Sequence, residues 1–354
     1  MDGMVTVNST TIGDATSTLA MTESPGYRFE DPTQRLILAI ITCITASIGI
    51  PGNILVMVAV SFSKKLQTKT NAFVVNLACS DLSTCLVLPF QVVALLNDEW
   101  PLADILCTIV AVIVWVGLGS SVVNLALIAF NRFYLITRSR TRYDRLYSRR
   151  NLALMLATAW LIPLILVTVP PLCGLGGIGY SERYKICSSD SEHPLSDVYA
   201  FLSSVLVEVP CLIIIVTCYV KIYRFIRAKN KDLFGDNPMQ NTSADGKQSS
   251  SQSAAFKRQV KVTKNMFLVV CSYIVCIMPF AIACLIPPSY PAIPWVSVFL
   301  IANCCVNPII YGLKHPQFRE VFRHIMSCKL TLIPEPTKFL QSLTSNSTAS
   351  TGTS

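Results

Sequence analysis

Residues 105–130 read ILCTIVAVIVWVGLGSSVVNLALIAF, a run of 26 positions without a charged side chain. A helix rises 1.5 Å per residue, so about 20 apolar residues cross the roughly 30 Å hydrocarbon core of a bilayer. The run lacks the period-two alternation of a strand, and a helix satisfies its own backbone hydrogen bonds in lipid. The stretch therefore predicts a membrane-spanning helix.

Six further runs have the same character. They begin near Leu36, Ala72, Leu152, Val198, Met266 and Val296. Of the 354 residues, 52% are hydrophobic and 14% are charged, against about 25% charged in ordinary soluble domains. A chain of this composition could not bury its apolar surface in water. The expected fold class is an all-α membrane protein, with a seven-transmembrane helix bundle over residues 36–313.

Basic residues are concentrated in the loops after the first, third and fifth runs. They include Lys64, Lys65, Lys69, Arg138, Arg140, Arg142, Arg145, Arg149, Arg150, Arg224, Arg227, Lys229 and Lys231. Short loops rich in Lys and Arg stay on the cytoplasmic side, which predicts an extracellular N-terminus. The net charge of +9 therefore reflects membrane topology, and nucleic acid is not an expected partner.

Three polar segments flank or interrupt the runs. Residues 1–35 are predicted to be an extracellular tail, glycosylated at Asn8 of the triplet Asn-Ser-Thr. Residues 235–255 have too little apolar surface to fold and are predicted to be a linker. Residues 329–354 are predicted to be a disordered cytoplasmic tail, rich in Ser and Thr and suited to phosphorylation.

Residues 314–328 combine basic and apolar side chains in a helical pattern. The apolar members recur at intervals of three and four: Phe318, Val321, Phe322 and Ile325. This spacing predicts an amphipathic helix that lies on the membrane lipid of the inner leaflet. Cys328 follows directly and is a candidate for palmitoylation.

Most of the fourteen cysteines lie within the runs, where a free thiol behaves as a small apolar residue. Cys107 and Cys187 lie instead on the predicted outer side, where a disulfide persists. Their pairing would hold the long outer loop over the mouth of the bundle. Cys173 is also near the outer side and is a competing partner.

Five polar residues lie deep in the runs: Asn53, Asp81, Ser121, Asn303 and Asn307. Ionisable groups inside a membrane are costly and usually functional. A carboxylate surrounded by hydroxyl and amide oxygens suits a small hard cation such as sodium. The alternative is a set of side chains that only hydrogen-bond neighbouring helices.

The chain resembles the rhodopsin-like (class A) G-protein-coupled receptors from Gly52 to about Cys328. The matching residues are Gly52, Asn53, Leu77, Ala78, Asp81, Trp100, Cys107, Asn131, Arg132, Phe133, Trp160, Pro210, Tyr219, Cys276, Pro279, Asn307, Pro308, Ile309, Ile310 and Tyr311. The resemblance implies an extracellular ligand, a heterotrimeric G protein, and arrestin and receptor kinase as further partners. It also implies that the pocket around Asp81 binds sodium as an allosteric ligand in the inactive state.

The resemblance places a switch for the G protein at the inner end of the bundle. Its members would be Asn131, Arg132, Tyr219, Pro308 and Tyr311. Most relatives have an acid where Asn131 stands, and another acid on the sixth span, where this chain has Lys, Arg and Gln at 257–259. Either the latch on Arg132 is weakened, which raises basal activity, or Asn131 restrains Arg132 by a neutral hydrogen bond.

The expected ligand pocket is mostly apolar. Its candidate residues are Val114, Trp115, Leu118, Ser203, Ser204, Glu208, Phe280 and Ser297. Val114 stands where amine receptors have aspartate, and Ile301 where opsins have the retinal-binding lysine, so neither ligand is expected. Glu208 would contact a ligand or serve only packing.

Two departures from the family concern its landmarks. Ile277 replaces the usual tryptophan of the sixth span, and Tyr219 follows Pro210 by nine residues rather than eight. The Asn-Arg-aromatic triplet at 131–133 is similar to that of melatonin receptors and of insect orphan receptors of the Moody type. The second group fits better, because melatonin receptors generally keep the tryptophan and lack the seventh-span proline.

Two other functions compete with a G-protein-coupled receptor. A transporter would show internal repeats and a charged path, which are not seen, and a receptor-shaped adhesion or scaffolding protein would not need Arg132, Pro308 or Tyr311. An enzyme is not expected, because the three histidines are scattered through loops and tail.

Overall fold

The computed structural model describes residues 27–234, 246–286 and 290–350, so Asn8 lies outside the described residues. Within these ranges the chain forms eleven α-helices and one β-hairpin. The helices are α1 Pro32–Phe62, α2 Lys69–Leu96, α3 Asp104–Thr137, α4 Arg140–Leu146, α5 Arg149–Leu172, α6 Ser196–Phe234, α7 Gly246–Leu285, α8 Ile293–Ile301, α9 Asn303–Lys314, α10 Pro316–Met326 and α11 Lys338–Ser350. The hairpin consists of β1 Ile178–Ser181 and β2 Ile186–Ser189.

Seven segments are long and apolar enough to span a bilayer: α1, α2, α3, α5, α6, α7 and the consecutive pair α8–α9. The predicted seven-helix bundle is confirmed. The short hairpin is an addition that the sequence did not predict. The end of the bundle that carries β1 and β2 is called the hairpin face below. The opposite end, which carries α4, α10 and α11, is called the basic face.

The third span, α3, is the central helix of the bundle. It packs against α2, α5, α6 and α7 and is more buried than any other span. Large apolar side chains on the peripheral helices are exposed instead, as with Ile213 on α6 and Val275 on α7. This inverted distribution suits a bundle that is surrounded by lipid rather than water.

The seventh span is interrupted at Ala302, between α8 and α9. Proline has no N–H, so Pro308 leaves the carbonyl oxygen of Cys304 without its helical donor. The Asn53 Nδ2 atom of α1 donates to that oxygen at 3.0 Å. Gly52 permits the approach of the two helices, because a Cβ there would lie 3.0 Å from the Cβ of Pro308. Asn53 thus compensates for a proline on another span, and the adjacent Gly52 leaves room for the approach.

The hairpin is anchored to two spans. A disulfide joins Cys187 of β2 to Cys107 of α3, which confirms the predicted pairing, and Cys173 is free and exposed. Gln91 of α2 adds a second anchor, because its Nε2 donates to the Cys187 carbonyl oxygen at 2.7 Å and its Oε1 accepts from the Cys187 N–H at 2.9 Å. The hairpin therefore has a covalent link to α3 and a two-bond clamp on α2.

The predicted amphipathic helix is present as α10. Its residues Phe318, Val321 and Phe322 are buried, and the Phe318 ring stacks on Tyr311 with 5.5 Å between ring centroids. The apolar face thus packs under α9. Cys328, just after this helix, is exposed.

The structure differs from the prediction of a disordered tail over residues 329–354. A helical turn and α11 are formed between 330 and 350, and Ile333 and Leu340 are buried in the main apolar cluster. The sequence interpretation gave too much weight to the Ser and Thr content and too little to these apolar residues. The predicted linker at 235–255 also differs, because α7 begins at Gly246; residues 235–245 lie outside the described part.

The tail is held to the end of α1 and to the loop between α1 and α2. The Ser63 hydroxyl donates to the Pro334 carbonyl oxygen at 2.7 Å, and the Lys64 N–H donates to the Glu335 carbonyl oxygen at 2.8 Å. The Thr337 hydroxyl donates to the Ser61 carbonyl oxygen at 2.8 Å. These contacts are called the tail clasp below.

Candidate functional site

A carboxylate lies at the centre of the bundle. Asp81 of α2 is fully buried and accepts hydrogen bonds from Ser121 Oγ of α3 at 2.5 Å and from Asn307 Nδ2 of α9 at 2.8 Å. The structure therefore brings three of the five predicted sodium-pocket residues into direct contact.

Several buried amide atoms of α1 and α9 have no partner among the described residues. They are Asn53 Oδ1, Asn303 Oδ1, Asn303 Nδ2 and Asn307 Oδ1, all buried. An unsatisfied buried polar group costs about 1–3 kcal/mol, so each requires an explanation. Amide oxygens beside a carboxylate and a hydroxyl form the type of donor set that a hard cation prefers. The residues present fit a sodium ion with water.

The second part of the site is a buried cation at the basic face. The Arg132 side chain of α3 is only 4% exposed. Its Nη1 lies 3.4 Å from Gln259 Oε1 of α7, a long hydrogen bond, and its Nε has no partner among the described residues. Gln259, which the sequence interpretation passed over as non-acidic, is therefore the contact that links Arg132 to α7.

Asn131, the residue before this arginine, has other partners. Its Oδ1 accepts from the Thr70 hydroxyl of α2 at 2.6 Å, and its Nδ2 donates to the Tyr143 hydroxyl of α4 at 3.2 Å. Neither bond involves Arg132. Of the two interpretations left open by the sequence, the neutral bond between Asn131 and Arg132 is not observed.

Helix α4 is also held to α2 by charge. The Asp144 carboxylate accepts from Lys69 Nζ at 2.7 Å and from Arg140 Nε at 2.9 Å. Hydrogen bonding to Lys69, and then to Arg140, lowers the pKa of Asp144 below its ordinary value. The carboxylate stays ionised at neutral pH, and the loop that follows α3 is fixed beside Asn131.

Two tyrosines complete the predicted switch. The Tyr219 hydroxyl of α6 and the Tyr311 hydroxyl of α9 are buried and have no hydrogen-bond partner among the described residues. The Tyr219 ring packs on Phe267 of α7 with 5.0 Å between centroids. Both hydroxyls are available to new partners if the helices rearrange.

The predicted ligand-pocket residues form a less connected set. Val114 and Ser203 are buried, and the other six, Trp115, Leu118, Ser204, Glu208, Phe280 and Ser297, are partly buried. The Ser203 hydroxyl bonds within its own helix, to the Ala200 carbonyl oxygen. In the described part of the chain no hydrogen bond or ion pair joins any two of the eight, and Glu208 has neither. The structure does not assemble them into a polar recognition site.

Comparison with known proteins places this geometry in a family. The family model of the 7 transmembrane receptor (rhodopsin family) matches residues 52–311. The chain is 26% identical to the G-protein coupled receptor moody of Drosophila melanogaster over 82% of its own length, and 30% identical to melatonin receptor type 1A of Mus musculus over the same share. It covers 51% of the fly protein, about half, and 80% of the mouse protein.

A solved structure agrees in fold. The crystal structure of squid rhodopsin matches with a TM-score of 0.71, covering 85% of this chain and 88% of that one, at 22% identity. The two sequence relatives named above are the moody and melatonin receptors, the branch that the triplet at 131–133 indicated. The chain is thus a multi-pass membrane protein, and it belongs to the rhodopsin family of 7 transmembrane receptors.

Proposed function

We propose that this protein is a plasma-membrane receptor with an extracellular N-terminus, which binds an extracellular ligand and activates a heterotrimeric G protein. The observation that carries the proposal is Arg132, a buried cation whose observed link to α7 is one long hydrogen bond to the uncharged side chain of Gln259. An arginine held this weakly is ready to exchange that partner for the backbone oxygens of an inserted G-protein helix.

The mechanism follows from the contacts of α7. Pro279 removes a backbone hydrogen bond and gives this helix a pivot. Outward movement of its inner half breaks the bond between Gln259 and Arg132, while α4 stays fixed to α2 through Asp144. The basic face therefore opens on the side of α7 and stays closed on the side of α4. Tyr219 and Tyr311, whose hydroxyls lack partners among the described residues, supply new hydrogen bonds in the open state.

Nucleotide exchange tests this proposal directly. Wild type and Arg132→Ala are reconstituted in lipid nanodiscs at equal density, and ligand-free exchange is measured with each class of G protein. Arg132→Ala should reduce exchange at least about tenfold, since a charge-assisted bond contributes roughly 1.5–3 kcal/mol. Arg142→Ala, which removes an exposed charge of α4, is the matched control. Wild-type exchange no faster than that of Arg132→Ala with every G protein would favour the adhesion or scaffolding alternative.

We further propose that the site at Asp81 holds sodium in the inactive state. The support is the buried carboxylate with the Ser121 hydroxyl and the Asn307 amide in contact with it, together with unpartnered amide oxygens of Asn53, Asn303 and Asn307 in the described part of the bundle. Replacing potassium chloride by sodium chloride should raise the thermal unfolding midpoint of wild type and not of Asp81→Asn. An equal response of both proteins would exclude the site, whatever the outcome for nucleotide exchange.

The proposed ligand is small and largely apolar, because Glu208 is the only ionisable residue among the eight candidate pocket residues. Melatonin, named for the mouse relative, is the first compound to test. Glu208→Gln should leave affinity for a neutral ligand within about twofold and should weaken a cationic one more. Arrestin and receptor kinase are proposed as further partners. We also propose glycosylation at Asn8 and palmitoylation at Cys328. Enzymatic deglycosylation and chemical cleavage of the thioester should each lower the mass of the intact protein.

A further inference from the structure

The inner half of α7 carries a second polar contact, which is shorter than the one at Gln259. Asn265 is half-buried, and its Nδ2 donates to the Lys314 carbonyl oxygen at 2.7 Å. Lys314 is the last residue of α9, so its carbonyl oxygen has no donor from a following turn of that helix. The Asn265 side chain supplies this donor from a different span.

The acceptor of this bond lies on a rigid corner between α9 and α10. The Phe318 ring of α10 stacks on Tyr311 of α9 with 5.5 Å between ring centroids. A Cβ on Gly312 would lie 3.3 Å from the Phe322 ring, so the two helices are in close contact. The Lys314 carbonyl therefore keeps its place when α7 moves, and the hydrogen bond must break rather than follow.

The bond is sensitive to small movements of α7. Asn265 precedes Pro279 by 14 residues, which is about 21 Å along the helix. An outward rotation of about 5° at Pro279 would move Asn265 by about 2 Å. A hydrogen bond of 2.7 Å does not survive such an increase in length. The contact is therefore specific to the closed position of α7.

Positive charges on the same helices act in the opposite sense. A cavity of about 410 Å³ is lined by Lys261 of α7 and by Lys314, Arg319 and Arg323 of α9 and α10. None of these four cations has an ion pair within the described part of the chain. Glu320 of the same wall is paired with a lysine of the α1–α2 loop. Like charges on opposite walls repel, which favours movement of α7 away from α9 and α10.

We propose that Asn265 is a positioning residue that holds α7 closed, and that repulsion between Lys261 and the cations of α9 and α10 acts against it. The balance of the two sets the position of α7, so ionic strength at the basic face adjusts the closed state. Such a latch needs no acid on the sixth span, where this chain has Lys, Arg and Gln at 257–259. Its consequence for a G protein rests on the function proposed above.

Distances between spin labels test the latch without a G protein. Labels attached through p-acetylphenylalanine at the exposed positions 142 of α4 and 264 of α7 leave the fourteen cysteines untouched. The full chain is measured by double electron–electron resonance in phosphatidylcholine nanodiscs. Asn265→Leu, which removes the donor at similar volume, should raise the ratio of the long to the short distance about two- to tenfold, the factor that one hydrogen bond contributes. Asn265→Gln, which keeps an amide donor, should raise it less.

A second pair of labels, at positions 142 and 341, is the control for the helices that should not move. Its distance should be the same in wild type and in every variant, because α4 and α11 do not take part in the latch. Thermal unfolding of each variant shows that it is folded.

Salt and charge variants test the opposing repulsion. Raising potassium chloride from about 0.1 M to about 1 M shortens the screening length from roughly 10 Å to roughly 3 Å, and should lower the long-distance fraction of wild type. Lys261→Gln should lower this fraction at the lower salt concentration and should lose most of the response to salt. Lys329→Gln, which removes an exposed cation outside the cavity wall, is the matched control and should respond as wild type.

An unchanged distance ratio in Asn265→Leu would overturn the latch. A lengthening of the control distance as large as that of the α4–α7 distance would also overturn it, because the variant would then have loosened the whole basic face. Equal salt responses of wild type and Lys261→Gln would overturn the repulsion. Failure here would leave the Arg132→Ala exchange test unaffected, whereas a released α7 without faster nucleotide exchange would keep the latch and contradict the proposed function.

Discussion

The contact between Arg132 and Gln259 gives the sharpest test of the switch. At 3.4 Å from Nη1 to Oε1, this bond from the guanidinium to an uncharged amide oxygen is beyond the usual range of about 2.7–3.2 Å, so it contributes less than the roughly 1.5–3 kcal/mol of a well-formed bond to a charged group. Gln259→Glu keeps the side-chain length and places a carboxylate beside the guanidinium. Charge on both partners shortens and strengthens the bond, and part of this gain is offset by desolvating the carboxylate at this half-buried position.

The net gain for the closed state is about 1 kcal/mol, so ligand-free exchange should fall about fivefold. The assay is the rate of guanine-nucleotide exchange in nanodiscs at equal receptor density. Gln259→Met, which keeps the volume and removes the acceptor, should raise the rate up to about twofold. Exchange by Gln259→Glu as fast as wild type, or slower exchange by Gln259→Met, would show that this contact does not restrain α7.

Three further outcomes follow from contacts at other levels of the bundle. Asn131→Asp should lower ligand-free exchange less than Gln259→Glu does, because the side chain at position 131 points to Thr70 rather than to Arg132. A larger effect than that of Gln259→Glu in the same exchange assay would contradict that geometry. Gln91→Leu should make the outer hairpin easier to displace by removing two hydrogen bonds, seen as faster amide exchange of β2, and unchanged exchange would mean that the disulfide alone holds it. Gly52→Ala should lower thermal stability by about 1–3 kcal/mol through overpacking against Pro308, and an unfolding midpoint equal to wild type would show that α9 can shift freely.

Much of the bundle could be predicted because lipid imposes strong local rules. Every span must be apolar over a fixed length and satisfy its own backbone, so the helices are visible in the composition of single segments. Asp81 was identifiable for the same reason, since an ionisable residue is conspicuous in such a run. The disulfide followed from the side of the membrane on which Cys107 and Cys187 lie.

The contacts that were missed join residues far apart in the chain and depend on the rotation of one helix against another. Gln91 is one polar residue in a long span, and its partner is a backbone group 96 positions away. Gln259 and Arg132 are separated by 127 positions. The partner of Asn53 was easier to predict from the sequence, because a proline within a helix frees the carbonyl four residues before it, here that of Cys304.

The tail clasp determines when the last segment of the chain is open to enzymes. The Thr337 hydroxyl donates to the Ser61 carbonyl oxygen, and the Thr337 side chain is only 6% exposed. A protein kinase or protease needs an extended substrate strand, so it reaches this threonine only after the segment has separated from Ser63 and Lys64. The rate of proteolysis around residue 337 therefore measures how often the tail clasp opens. A chain shortened after Cys328 loses part of the folded domain, because Ile333 and Leu340 belong to the main apolar cluster.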